Sequence, residues 1–397
     1  MDSRPTAAPR KRLLLLKFGA IGDVIMAIPA AAEMHAAGYT IDWVAGEAVA
    51  PVLALYPWIR VIPVDEARLL RGGKTQRMRQ VLRLWRRLWS LSVNEPYDLC
   101  ATLYYDRRYR LLTRPIRARR RLSLSWHERA TRLLPGRHHT DEYARILTGR
   151  PDTEVCVQLA PVPVPNLPPN PLRLIPGAER IVLVPAGARN LLRDDALRRW
   201  PVEAYVELAR NLLAAGHEVV LAGGPEDTWA SAHFAGSRRD FPEQMRDAIG
   251  QFSLVDTLAL LDSAAVTVTH DTGPLHLAGL TSTSIVTIFG PTDPRGRLPQ
   301  RENCVAIWGG EGFACRPCYD GRDYAACTHN GCIREVTPAM VFAQVEEALR
   351  DRRDGRSQPP RVLVPGVLVP GNSVPGILVS GPAAAGPLSP GSQEGLA

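Results

Sequence analysis

Asp23 closes the run Phe18-Gly-Ala-Ile-Gly-Asp23, in which Gly19 and Gly22 let a ligand lie close against the backbone. A short apolar run precedes it and a helical pattern follows. The unpaired N–H groups of that helix start can therefore face an anion or an oxyanion. A carboxylate there fits two roles, proton acceptor for a hydroxyl or plain helix cap. The third glycine of a dinucleotide fingerprint is absent. Thr269-His-Asp-Thr-Gly-Pro-Leu-His276 is denser in polar groups and opens a helix at the carboxyl end of a strand. In it Asp271 can accept from ribose hydroxyls, the N–H groups of Thr272 and Gly273 can hold phosphate, and Leu275 and His276 enter the helix. Read as a capped turn, the same span packs His276 inside. Arg189 ends Pro185-Ala-Gly-Ala-Arg189, and Arg198-Arg-Trp-Pro201 precedes a helix whose first turn suits proline. These arginines can face a diphosphate or sit in water at a helix start. Four thiols, Cys315-x2-Cys318-x8-Cys327-x4-Cys332, begin with zinc-ligand spacing and continue without it, so zinc and plain reduced cysteines both stay open.

The elements that must hold these residues alternate. Leu13–Phe18 and Thr40–Ala45 read as strands, Val24–Ala37 as a helix stopped by Gly38, and Ala48–Leu55 as a short helix. Prolines crowd Val155–Pro176 and exclude helix there, which makes it an interdomain linker. A second series follows. Its strands are Arg180–Pro185, Glu218–Gly223, Ala265–Thr269 and Ser284–Phe289; its helices are Val202–Ala215, Leu254–Asp262, Leu275–Leu280 and Pro338–Arg353. Such alternation predicts α/β halves with parallel sheets. Residues 1–11 read as a disordered arm. The repeats Val364-Pro-Gly, Val369-Pro-Gly, Val374-Pro-Gly and Val379-Ser-Gly read as a low-complexity tail.

The formal charge is +8, and it is uneven. Arg60–Arg137 holds 20 Lys or Arg against 6 Asp or Glu, so the rest of the chain is net negative. An anionic acceptor or a membrane surface fits this excess; nucleic acid is not expected, because no recognition motif accompanies it. Met78, Val81, Leu82, Trp85, Leu88 and Trp89 share one helical face among Arg79, Arg83, Arg86 and Arg87. We read that stripe as core-facing with a basic rim, against the alternative of a membrane-surface helix. Arg10-Lys-Arg followed by Leu13–Leu16 imitates a secretory signal, but Lys17 and Asp23 interrupt it, so a cytoplasmic protein with reduced thiols is expected.

Taken in order, these pieces resemble glycosyltransferase family 9, the ADP-heptose:lipopolysaccharide heptosyltransferases. The carrying residues are Leu13–Asp23 with Pro29, Arg198-Arg-Trp-Pro201, Gly223-Gly-Pro-Glu226, Asp271-Thr-Gly-Pro-Leu-His276 and Phe289-Gly-Pro-Thr-Asp-Pro294, over about residues 12–350. The resemblance implies a GT-B architecture, two Rossmann-like domains facing each other across a cleft. The acceptor domain would span 12–165 and the nucleotide-sugar domain 166–337. Helix 338–353 would cross back to the first domain, and a disordered tail would fill 354–397. It implies inverting, metal-independent transfer of a sugar, heptose from ADP-heptose, to a lipopolysaccharide-core-like or other anionic glycolipid acceptor. No cofactor is required, and the fit to peripheral contact with the inner membrane surface follows from the acceptor. By this resemblance Asp23 is the general base, and Gly19 and Gly22 shape the substrate turn. Arg198 stands where the family has a lysine on the donor diphosphate, with Arg189 beside it. Asp271, Thr272, Gly273, Leu275 and His276 form the donor-binding turn, and Glu226 lies near the ribose or base. The competing readings are a nicotinamide-dependent oxidoreductase on a doubly wound fold and a non-catalytic nucleotide-sugar or polyanion binder.

Overall fold

Fully buried strands need aliphatic runs on both faces, and the first half of the chain supplies one in Leu13–Leu16 at the centre of its sheet. In the computed structural model, which describes residues 11–153, 158–190, 193–319, 321, 323–365 and the backbone of 377–378, strands Lys11–Leu16 (β1), Tyr39–Gly46 (β2), Ile59–Val64 (β3), Tyr97–Thr102 (β4) and Ala118–Ser123 (β5) form a parallel sheet ordered β3-β2-β1-β4-β5. Helices Ile21–Met26 (α1), Ile28–Ala36 (α2), Ala50–Leu53 (α3), Glu66–Arg71 (α4), Lys74–Ser92 (α5), Arg107–Leu112 (α6) and His139–Thr148 (α7) accompany it. Alternation along β1 divides the faces. Leu13 and Leu15 join one core, and Leu14 and Leu16 join another beneath α5 and α6.

The second sheet is ordered β13-β12-β11-β10-β9-β6-β7-β8, parallel except at the β12–β13 pair. Its strands are Arg180–Leu183 (β6), Glu218–Leu221 (β7), Met245–Asp247 (β8), Val266–His270 (β9), Ser284–Phe289 (β10), Cys304–Trp308 (β11), Arg361–Val364 (β12) and Ile377–Leu378 (β13). Its helices are Val202–Ala214 (α8), Ala235–Asp240 (α9), Leu254–Asp262 (α10), Gly273–Gly279 (α11), Gly331–Arg334 (α12) and Pro338–Arg353 (α13). No helix among the described residues is long and apolar enough to cross a membrane.

Several expectations change. The helix expected over Val24–Ala37 is two, because Pro29 lacks the N–H that would continue the ladder through the first turn of α2. The last helix does not cross back. Val341, Val345 and Leu349 of α13 enter the core of the second sheet with Leu208 and Leu212 of α8. The chain then adds β12 to that same sheet, so residues 361–364 are ordered structure rather than tail. Residues 1–10, 366–376 and 379–397, where the arm and most of the repeat tail were expected, lie outside the described residues. The apolar stripe of α5 also divides differently: Leu84 and Leu88 are buried, while Met78, Leu82 and Trp89 are exposed.

The halves meet through α1 and α3 against α11 and α10. The irregular segment 158–176 follows this seam, with Val162 O accepting from Tyr56 Oη at 2.7 Å and Val164 N donating to Leu280 O at 3.4 Å. One hydrophobic core runs across, from Leu13, Val24 and Trp43 to Leu258, Leu275 and Phe289. At its tightest point a Cβ on Gly22 would stand 2.5 Å from His276 Cδ2, and one on Gly273 3.3 Å from Ile21 Cβ. Gly22 lies inside α1, where alanine is intrinsically the better helix former. Gly22→Ala should nevertheless destabilise the protein by about 1–3 kcal/mol, through overpacking of the seam. Urea unfolding checks this; an unchanged or raised midpoint would show that the seam yields freely.

Candidate active site

The turn after β1 is fixed before any ligand arrives. Lys17 N donates to Val44 O at 3.2 Å, and Trp43 Nε1 donates to Lys17 O at 2.9 Å. The Tyr104 hydroxyl, just past β4, accepts from Gly19 N at 2.6 Å and Phe18 N at 3.0 Å. Tyr104 is stacked on Tyr109 of α6 at 3.9 Å between ring centroids. Ala20, the residue before α1, takes the left-handed φ of 54°, an arrangement an alanine adopts only under constraint.

Asp23 is therefore not the helix cap. Ala20 occupies that place, and the Asp23 side chain pairs with buried Lys17, Nζ to Oδ2 3.0 Å. Lys17 Nζ also donates to Leu103 O at 3.2 Å and lies over the Tyr104 ring at 4.5 Å. Desolvation disfavours the Asp23 carboxylate, but Lys17, then His139 and Arg297, outweigh it and hold the group down at about 2. Burial likewise works against the Lys17 ammonium; Asp23 and the tyrosines overcome it and raise Lys17. His139, on α7, is pushed down to about 3 by burial, then by Arg297, so its imidazole is neutral; its Nδ1 has no hydrogen-bond partner among the described residues.

The second half brings cations to this seam. Asp271, directly after β9, is buried and accepts from Thr292 Oγ1 at 2.7 Å. Arg198 and Arg297 approach its Oδ2 at 3.6 and 3.8 Å. Burial opposes the Asp271 charge, but Arg198 and Arg297 hold it at about 2. Arg198 is further held by Asp195, by a hydrogen bond to the Tyr324 hydroxyl, and over the Tyr319 ring at 5.3 Å, which Arg297 also faces at 5.4 Å. His276 is lowered to about 4, first by burial, and so packs on Gly22 as a neutral ring. Asp271 thus holds two guanidinium groups through Oδ2. The Thr272 hydroxyl is engaged: its Oγ1 accepts from Ala188 N at 2.8 Å, and a Cβ on Gly187 would strike it at 2.7 Å. Gly187 and Ala188 both have positive φ, as Ala20 has in the other half. Asp227 accepts from Gly187 N and Gly224 N at 3.0 and 2.9 Å, bracing this loop against the next.

Of the residues singled out in the sequence, Gly19, Gly22, Asp23, Arg198, Asp271, Thr272, Gly273 and His276 gather at the seam. Arg189 and Glu226 form an exposed pair at 3.1 Å, with Asp194 also on Arg189 at 2.9 Å. Leu275 is wholly buried and packs in the core. Cys315, Cys318, Cys327 and Cys332 are free thiols, and Cys327 Sγ accepts from Asn330 N at 3.3 Å. Among the described residues no three His, Cys, Asp or Glu side chains are grouped to hold a metal. Sequence reading missed Lys17, Arg297, Tyr319 and Tyr324. The first two lie inside or just after quoted motifs, at positions 17 and 297, and their charge amid apolar or Pro/Gly-rich segments was the available signal.

Without Lys17 the Asp23 carboxyl loses its nearest cation. Carbon-13 titration of Lys17→Met should find it raised by about 1–3 units. In the wild type the stabilising contribution of this pair is present above the ordinary aspartate value of about 4 and is lost as pH falls toward about 2. In Lys17→Met that contribution is gone at all pH values. An unmoved titration would assign the depression to His139 and Arg297.

Comparison with known proteins matches residues 178–329 to glycosyltransferase family 9 (heptosyltransferase). Lipopolysaccharide heptosyltransferase 1 of Pseudomonas aeruginosa is 26% identical over 381 residues, covering 85% of this chain and 98% of that protein. Lipooligosaccharide heptosyltransferase 2 of Haemophilus influenzae is 26% identical over 156 residues, 38% of this chain and 43% of that one, so the chain matches less than half the length of this relative. The solved structure of Escherichia coli heptosyltransferase WaaC with ADP superposes with a TM-score of 0.61 at 20% identity, over 85% of this chain and 99% of that one.

Proposed function

We propose, from a chain that is a family-9-like glycosyltransferase of GT-B fold, an enzyme that moves heptose from ADP-heptose to an anionic, lipopolysaccharide-core-like glycolipid. Transfer inverts the anomeric centre and needs no divalent metal. The observation that carries this reading is the meeting, at one seam, of Asp23 from the first half with the Asp271-held pair Arg198 and Arg297 from the second. One side offers a carboxylate to an acceptor hydroxyl; the other offers fixed positive charge to a leaving diphosphate. The relatives' names and the ADP of the WaaC structure support the choice of donor.

In this mechanism the acceptor hydroxyl donates to Asp23 and attacks the anomeric carbon from the face opposite the diphosphate. The new C–O bond forms as the C–O bond to phosphate breaks, and the bonding pair leaves on ADP. Arg198 and Arg297 offset the charge that grows there, and their geometry is set beforehand, so little reorganisation is needed at the moment of transfer. A carboxylate held at about 2 is a weak base for a resting hydroxyl. It accepts the proton late, once the oxygen has begun to bond to an electron-poor carbon and has become acidic; until then it orients the nucleophile. Lys17 keeps it charged and aimed. Peripheral contact with a membrane surface follows from an acceptor that is anchored there.

Asp23→Asn should lower turnover by about 10²–10⁴-fold and leave ADP binding intact. Thermal unfolding should respond to ADP rather than UDP or GDP, since a ligand at about 100 times its dissociation constant adds about 2.7 kcal/mol; Arg297→Gln should remove that response. Near-normal turnover of Asp23→Asn would defeat the role of Asp23, and a response to UDP or GDP alone would defeat the choice of donor.

A further inference from the structure

The outer face of the first sheet carries a feature the transfer chemistry does not use. Helix α5 holds Lys74 and Arg77, Arg79, Arg83, Arg86 and Arg87 without a single Asp or Glu. At about 100° per residue, Leu84 and Leu88 occupy the sheet-facing edge of one wide apolar face, while Met78, Leu82, Trp85 and Trp89, within about 60° of one another, form its outer arc. Among the described residues much of that surface is open: Met78 is 59% exposed, Leu82 45% and Trp89 52%. Trp85 Nε1 donates to Leu111 O at 3.1 Å, which brings Leu111 of α6, itself 54% exposed, to the same surface. These four are most of the large apolar side chains left exposed among the described residues. Arg79, Arg83 and Arg86 border the arc, and Arg68, Arg83 and Arg87 line a groove of about 270 Å³ beside it together with Glu47 and Asp65.

We propose that this face of α5 and α6 seats the protein on an anionic phospholipid surface. Tryptophan, leucine and methionine would enter the boundary between headgroups and acyl chains, and the flanking arginines would meet phosphate. The choice of occupant follows from charge. A second copy would set one arginine-rich face against another, whereas an anionic bilayer complements both the apolar arc and its rim. The placement is consistent with catalysis. Leu14, Leu16 and Phe18 separate this face from the seam, so docking leaves the seam open to donor and acceptor. The inference rests on the proposed lipid-anchored acceptor for its purpose, but its test needs no turnover.

Flotation of the full chain with phosphatidylcholine vesicles, with and without phosphatidylglycerol, tests it. We expect binding only where phosphatidylglycerol is present, weakened by salt. Trp89→Ser combined with Leu82→Ser should reduce binding by about tenfold or more, with unfolding and ADP response unchanged because both side chains are exposed. Absence of binding to either vesicle, or equal binding by the double variant, would overturn the proposal. So would a sedimentation-measured dimer of the wild type that the same substitutions dissolve, since it would assign the face to a second copy. Vesicle binding by a protein that transfers no heptose would leave this proposal standing and refute the functional reading alone.

Discussion

Everything at the seam depends on one steric condition: α1 lies so close to α11 that a hydrogen is all Gly22 can present to the His276 ring. That contact sets the carboxyl ends of β1 and β9 at one place. It puts a carboxylate from one sheet within the field of the Arg297 guanidinium from the other, a juxtaposition neither half could supply alone. The neutral state of His276 belongs to the same condition, because an imidazolium here would lie buried beside Arg297 and Arg198.

The electrostatics are arranged in two tiers. Asp271 and Asp23 are both carboxylates held near 2 against burial, but to different ends. Asp271 is spent on arginines and a threonine hydroxyl and works through them. Asp23 is about one-third exposed, pairs with Lys17 through Oδ2, and keeps its other oxygen for the open side. The two turns also share a backbone habit, a left-handed alanine at 20 and at 188, each in the loop that follows the first strand of its half. Strain of this sort persists only where surrounding hydrogen bonds fix it, and here Tyr104 and Thr272 supply them.

Much of this was legible in the chain. The glycine-punctuated turns at 18–23 and 269–276 announced themselves because a strand-to-helix corner with close ligand approach has few other residues to use. Helices 254–262 and 338–353 and strand 284–289 were readable to the residue, since their periodicity is uninterrupted. Other features needed the fold. Lys17 looked like a break in an apolar run, and only burial beside Asp23 makes it a partner. Arg297 comes from a loop without periodicity. Strand β5 reads Ala-Arg-Arg-Arg-Leu-Ser, which an edge position permits and a hydrophobic pattern conceals. In α5 a 3.6-residue period revealed an amphipathic helix, yet its apolar face is wider than the stripe that turns inward, and the period does not say which part is covered.

The core that crosses the seam has a thermodynamic consequence. Domains joined by a linker ordinarily melt separately or slide on a modest polar interface. Here Leu13, Val24 and Trp43 share one apolar cluster with Leu258, Leu275 and Phe289, and the proline-rich segment is packed into it through Leu159, Val162 and Val164. Neither half can open without exposing apolar surface of the other. The two sheets are therefore expected to unfold as a single cooperative unit, so that any ligand bound by one half would stabilise both together.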